Sequence, residues 1–227
     1  MPEEGVLETN NHGNRPWIAV AIIAAVLILD QSLKVWIKTN MYMGEEFSVM
    51  GNWFIIHFTE NPGMAFGLEF GGDIGKILLS VFRIIAVSAI GYFLFTYAKK
   101  GAKTGLLVAG GFIFAGALGN ILDSAFYGLM FDSSWHQVAE FMPANGGYAD
   151  FLYGNVVDML YFPLFNGTFP EWFPLWGGED FLFFRPVFNV ADAAITTGIA
   201  MIVIFQKRFF EDESSKSEIA APDSTID

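Results

Sequence analysis

Four apolar runs, each about the ~20 residues needed to cross the hydrocarbon of a bilayer, dominate this chain and decide what it can fold into. They cover residues 16–37, 75–98, 104–126 and 187–206. Of the 227 residues, 53% are hydrophobic and only 16% charged, against roughly 25% charged in an ordinary soluble domain. A membrane-embedded all-α bundle of four transmembrane helices is therefore expected. The first run is too long for the apolar part of a cleavable signal peptide, and a polar, mixed-charge stretch (MPEEGVLETNNHGNR) precedes it instead of a short basic one.

Four spans bring both termini to one side, and the basic residues say which. Arg15, the Lys99, Lys100 and Lys103 turn, and Lys207 with Arg208 share one face, which the positive-inside rule makes cytoplasmic. Lys34, Lys38, Lys76 and Arg185 fall near the other face, so the bias is clear without being absolute. The organisation expected is a cytoplasmic tail (1–15), a four-span domain (16–208) and an acidic, disordered cytoplasmic tail (209–227). Two segments lie outside. Residues 44–70 read as short strands around Gly51-Asn52, a small extracytoplasmic β-element. Residues 127–186, rich in aromatics, Gly and Pro, form a long extracytoplasmic loop suited to the membrane interface.

The net charge of −12, from 24 acidic and 12 basic residues, excludes nucleic acid as a partner, because phosphate neutralisation needs clustered Lys and Arg. The absence of cysteine removes disulfides, thiolate metal sites and cysteine nucleophiles. His12, His57 and His136 show no spacing for a triad or a zinc site, so no metal or cofactor is expected.

Ionisable residues in or at the end of a span are functional candidates by default. Four carboxylates qualify: Asp30 in the first run, Asp123 at the outer end of the third, Asp158 in the apolar stretch VVDMLYF, and Asp192 at the outer start of the fourth. With this topology they converge at one depth near the outer boundary. Structural readings stand beside the functional one. Asn189 and Asp192 have the spacing of a helix cap with an acid at the third position. Asp30 and Lys34 form an i, i+4 pair that reads as structural. Gly111, Ala115 and Gly119 repeat every fourth residue, as close helix packing requires, while Gly116, Asn120 and Asp123 lie on an adjoining face.

Without a Cys, His or Ser constellation, the hydrolytic chemistry open to the chain is a pair of carboxylates activating water. Two neighbouring aspartates do not both ionise readily, so one keeps a proton and the pair serves as base and acid together. Which member keeps it stays open, although a helix N-terminus at Asp192 favours charge there. A small proton-coupled transporter is the rival reading, but it more often shows repeat symmetry and midplane charge, which these acids lack.

The blocks LDQSLKVWI, ENPGMAFG, GGFIFAGALGNILD, GNVVDMLYF and FNVADAAI, in that order between residue 29 and about residue 200, resemble the bacterial lipoprotein signal peptidases, signal peptidase II. The resemblance implies a membrane aspartyl endopeptidase. It acts on prolipoproteins whose cysteine already carries diacylglycerol, cutting just before that cysteine. It implies Asp158 and Asp192 as the catalytic dyad, and Asn61, Gly116, Asn120, Asp123 and Asn189 as residues lining the site, with Asp30 and Lys34 in support. It further implies a monomer in the inner membrane of a bacterium, in contact with membrane lipid, with the active site near the outer face.

Three departures stand out. Ser124 occupies a position where the family usually has a basic residue, and Arg83 and Arg185 are the candidates by location to replace its charge. The stretches between Asp123 and Asp158 and between Asp158 and Asp192 are longer than usual, and the extra chain is expected to cover or gate the outer mouth. Met159 replaces a common aromatic, a mild change in packing.

Overall fold

The computed structural model describes residues 15–62, 72–163, 165–183 and 187–210. Of the segments singled out above, residues 1–14, residues 63–70 of the β-element, Arg185 and the acidic tail from residue 211 lie outside the described residues. Four helices are long and apolar enough to cross a membrane: α1 (Arg15–Asn40), α2 (Gly72–Lys99), α3 (Thr104–Leu122) and α5 (Val190–Phe210). The third span continues past α3 through a π-helical turn (Asp123–Tyr127) and a short α4 (Gly128–Met130). Trp17, Ile28, Phe82, Phe93 and Val203 are exposed along these helices, the inverse of a soluble bundle and the distribution lipid demands.

The centre of the bundle is α3, which packs against α1, α2 and α5. Small residues permit the approach. Gly111 lies against the Ala19 backbone of α1, and a Cβ at Gly198 would stand 2.6 Å from the carbonyl oxygen of Ala109. A Cβ at Gly116 would collide with the carbonyl oxygen of Ala191, in the first turn of α5. Without an apolar driving force between helices in lipid, such close contact supplies the packing that holds them.

A four-stranded antiparallel sheet, ordered β1-β2-β3-β6, stands where α1 and α3 end and α5 begins. Its strands are β1 (Glu46–Met50), β2 (Phe54–Asn61), β3 (Val156–Tyr161) and β6 (Val187–Phe188). β4 (Phe165–Thr168) and β5 (Asp180–Phe183) make a separate hairpin. The sheet corrects two local expectations. The apolar stretch around Asp158, expected to lie within the long loop 127–186, is a strand, paired with β2 on one side and β6 on the other. Val187 and Phe188, apolar enough to extend the fourth span, instead pair with Tyr161 and Leu160, so the helix starts at Val190.

The inward face of the sheet buries Phe58, Val157 and Met159 against Ile37, Met41, Tyr127 and Phe131. The π-helical turn and the end of the helix at Met130 leave carbonyl groups open to other donors. Ser124 O accepts from Gly154 N at 2.9 Å, and Gly128 O accepts from Ala149 N at 3.0 Å. The segment leading into β3 is thereby docked on the end of the third span.

Gly116→Ala should force α5 away from α3, because the atom in the way is backbone and cannot swing aside. The expected loss is about 1–3 kcal/mol of stability, read as a lowered unfolding temperature of the purified protein in detergent.

Candidate active site

Lys34 is fully buried on α1, and its ammonium group has three protons to donate. It meets three acceptors: Asp30 Oδ2 at 2.8 Å, Asp123 Oδ2 at 2.7 Å and Asn120 Oδ1 at 3.0 Å. Asp30 lies one turn before it, so the i, i+4 pair seen in the sequence is formed. The second oxygen of Asp30 accepts the backbone N–H of Ala191 at 2.9 Å, so an acid of α1 caps the start of α5. Asp123 also receives Gln31 Nε2 at 2.8 Å and the N–H of Val157 at 3.3 Å, which ties β3 to the third span.

The start of α5 is a capping box. Asp192 N–H donates to Asn189 Oδ1 at 2.9 Å, and Asn189 N–H donates to Asp192 Oδ2 at 3.3 Å. Each of two asparagines is thereby locked in one amide orientation. The oxygen of Asn120 faces the Lys34 ammonium, so its NH2 group points to Asp192 Oδ1, 2.8 Å away. The oxygen of Asn189 faces a backbone N–H, so its NH2 group points to Asp158 Oδ1, 2.7 Å away. Asn189 also donates to Asn120 Oδ1 at 3.1 Å and Val157 O at 3.2 Å, joining the two halves.

Asn61 reaches Asp158 from β2. Its register partner is Val156, so Asp158 is its diagonal neighbour on the same face of the sheet, and the two side chains hydrogen-bond. Asp158 is buried, whereas Asp192 is half-buried. Burial first, and the negative charge of Asp192 second, push the Asp158 carboxyl up to about 7. A carboxyl near neutrality beside a second carboxylate, each held by an amide donor, can give and take a proton in one cycle.

Every site residue named from the sequence thus falls in one connected region. Asp30, Lys34, Asn120, Asp123, Asp158, Asn189, Asp192 and Asn61 share a hydrogen-bonded network. Gly116 joins it through packing, by letting α5 approach Asn120. Sequence reasoning missed Gln31, although an amide inside a span is itself a signal. It also missed a second cluster. Lys38, one turn beyond Lys34 and fully buried, pairs with Glu60 at 2.6 Å and donates to Ser134 at 2.8 Å. Asn155 holds the other Glu60 oxygen at 2.9 Å, and Lys76 holds Asn155 at 2.8 Å. Among the described residues, no three His, Asp or Glu side chains are grouped to share a metal ion.

With this geometry in hand, comparison with known proteins decides the family. The family described as "Signal peptidase (SPase) II" matches residues 22–208. The chain belongs to the signal peptidase II family. A relative named lipoprotein signal peptidase, from Porphyromonas gingivalis, is 46% identical over 84% of this chain and 83% of its own length. Another of that name, from Amoebophilus asiaticus, is 37% identical over 89% of this chain and 83% of its own. A solved bacterial membrane enzyme, determined by the in meso method at 2.3 Å resolution, matches with a TM-score of 0.55 and 25% identity, covering 86% of this chain and 92% of that one. The chain is accordingly a peptidase and a multi-pass membrane protein.

In this member of the family the Glu60 carboxyl responds to opposing influences. Burial pushes it up, but the charge of Lys38 and the hydrogen bonds from Lys38, Asn155 and Ser134 hold it below its usual value. A carboxyl depressed in the folded state stabilises the fold above its unfolded pKa, about 4.3, and that contribution is lost as pH falls through the folded value. Lys38→Met should therefore destabilise the protein strongly at pH 7 and progressively less in acid, measured as unfolding temperature against pH.

Proposed function

We propose that the chain removes signal peptides from prolipoproteins by aspartyl hydrolysis, with Asp158 and Asp192 as the catalytic pair. The observation that carries this reading is the arrangement of two carboxylates at one end of the bundle. Each accepts from a locked asparagine amide, and one of them is poised near neutrality. Asp158 enters the reaction protonated and Asp192 enters charged, next to the first turn of α5, where the helix dipole stabilises negative charge.

Asp192 takes a proton from water as the water oxygen attacks the scissile carbonyl carbon, while Asp158 gives its proton to the carbonyl oxygen. In the second half the tetrahedral centre returns a proton to Asp158, Asp192 protonates the amide nitrogen, and the C–N bond breaks. One water is consumed, one carboxyl and one amine are released, and both aspartates end as they began. Asn61, Asn120 and Asn189 orient the acids, and Asp30, Lys34, Asp123 and Gly116 hold the elements that carry them.

The bond cut precedes a cysteine already modified with diacylglycerol. A lipid-borne substrate arrives sideways from the bilayer, which accounts for a protease whose acids lie at the end of its membrane helices. The names of the relatives support the lipoprotein substrate. On this reading the enzyme works as a monomer in the bacterial inner membrane, both termini cytoplasmic, with the sheet and the long loop on the outer side. The four-span domain covers 16–208, flanked by the two tails, and the loop covers the outer mouth.

Reconstituted protein incubated with a diacylglyceryl-modified prolipoprotein should release the signal peptide, and Asp158→Asn and Asp192→Asn should each abolish release while still inserting. Turnover by either Asn variant at the parental rate ends the dyad reading. The pH dependence follows from the raised Asp158: the rate should fall as pH rises through about 7, when Asp158 loses its proton. A rate that stays level above pH 7 would contradict the assignment of Asp158 as the acid.

A further inference from the structure

Most of α2 presents apolar side chains to its surroundings, with Leu78, Phe82, Ile85, Tyr92 and Phe93 all exposed. One stripe does not. Lys76, Ser80 and Arg83, at i, i+4 and i+7, lie on a single helix face. Lys76 donates to Asn155 Oδ1 at 2.8 Å and Ser80 to Leu152 O at 3.3 Å. Arg83 Nη1 reaches Ser124 Oγ at 3.5 Å, and that hydroxyl donates to the carbonyl oxygen of Asn120 at 3.1 Å. The stripe thus runs along the segment that leads into β3 and ends beside Asn120. Arg83 is half-buried within a membrane span, where an arginine without a purpose is costly.

The site carries more negative charge than Lys34 alone offsets. Asp30, Asp123, Asp158 and Asp192 are four carboxylates, and the three protons of Lys34 are committed to Asp30, Asp123 and Asn120. One proton retained by the pair still leaves a negative charge on Asp158 and Asp192, on which Lys34 acts only through space because its protons are directed to Asp30, Asp123 and Asn120. Arg83 bonds a neutral hydroxyl, and the carboxylates whose charge acts on it are Asp192 most strongly, then Asp123 and Asp158. In a low-dielectric interior such an interaction remains effective without direct contact. A guanidinium also stays charged at every pH at which the enzyme operates.

We propose that Arg83 is the positioning cation of the aspartate pair: it stabilises the single negative charge that Asp158 and Asp192 share, from a helix that contributes no acid to the site. This rests on the dyad reading above. Ser124 sets the guanidinium on the site side of α2, so position 124 contributes a tether rather than a charge. The groups facing the pair are Asp30 and Lys34 from α1, Arg83 from α2, Asp123 from the third span and Asn61 from β2.

The test is the pH profile of kcat/KM for the full chain, reconstituted with a diacylglyceryl-modified prolipoprotein, in the parent, Arg83→Gln and Arg83→Lys. Loss of a nearby positive charge disfavours the ionised acid, so the alkaline limb of Arg83→Gln should move to higher pH by about one unit. Activity at its optimum should fall about tenfold, the rate equivalent of one pKa unit. Arg83→Lys, which keeps the charge, should keep the parental limb. The position of a limb does not depend on how much of a variant folds, so partial misfolding leaves the result readable. An unmoved limb in Arg83→Gln, with Asp158→Asn and Asp192→Asn inactive, overturns the proposal and leaves the dyad standing. Cleavage by either Asn variant overturns both.

Discussion

One ammonium group organises the site. Lys34 has no access to water, and a buried cation is tolerated only when each of its protons has a good acceptor. Its acceptors come from different parts of the chain: Asp30 on its own helix, and Asn120 and Asp123 on the third span. The acids it holds then reach further, Asp30 to the first turn of α5 and Asp123 to the backbone of β3. Three membrane helices and a strand are thereby tied within two bonds of a single nitrogen. Among the described residues no buried side-chain nitrogen or oxygen is left without a partner, so the expense of placing this many charges together is offset locally.

The same group also sets hydrogen-bond polarity. An ammonium only donates, so it turns the Asn120 oxygen toward itself and the Asn120 NH2 group toward Asp192. At Asn189 a backbone N–H does the equivalent, and the amide donates to Asp158. Neither asparagine can flip without setting a donor against a donor. Donors aimed in advance at the atoms that carry charge lower the reorganisation needed during reaction, and here the aim is inherited from helix capping and from one lysine.

The parts legible in the sequence were those encoded locally. Span lengths, the Asp30 and Lys34 spacing, and the cap pattern of Asn189 and Asp192 are statements about residues within a few positions of one another. The packing stripe on α3 belongs with them, although Gly116, beside the stripe, turned out to meet the Ala191 carbonyl as tightly as any glycine on it. What escaped was non-local. VVDMLYF is as apolar as a membrane segment, and only its pairing with β2 and β6 makes it a strand. The Lys38 and Glu60 pair spans a helix, a turn and a strand, with Asn155 completing it from far along the chain. The five blocks that resemble signal peptidase II grouped these acids before any pairing was known, because a family pattern records tertiary proximity that a single sequence does not.

On the proposed reading, Asp192 is structural and functional at once. As the third residue of a capping box it accepts the Asn189 N–H, and with its other oxygen it accepts from Asn120, so the bonds that start the helix also orient the carboxylate. Asp158 has the contrary environment, a strand buried on both faces, where its charged form is disfavoured and its carboxyl rises to about 7. Two identical side chains are thus made unlike by the elements that carry them, a helix N-terminus for one and the interior of a sheet for the other. That asymmetry is the requirement for an acid and a base drawn from a pair of aspartates, and it arises from the meeting of the α5 start with β3. The β6 pairing, which ends one residue before Asn189, brings those two elements together.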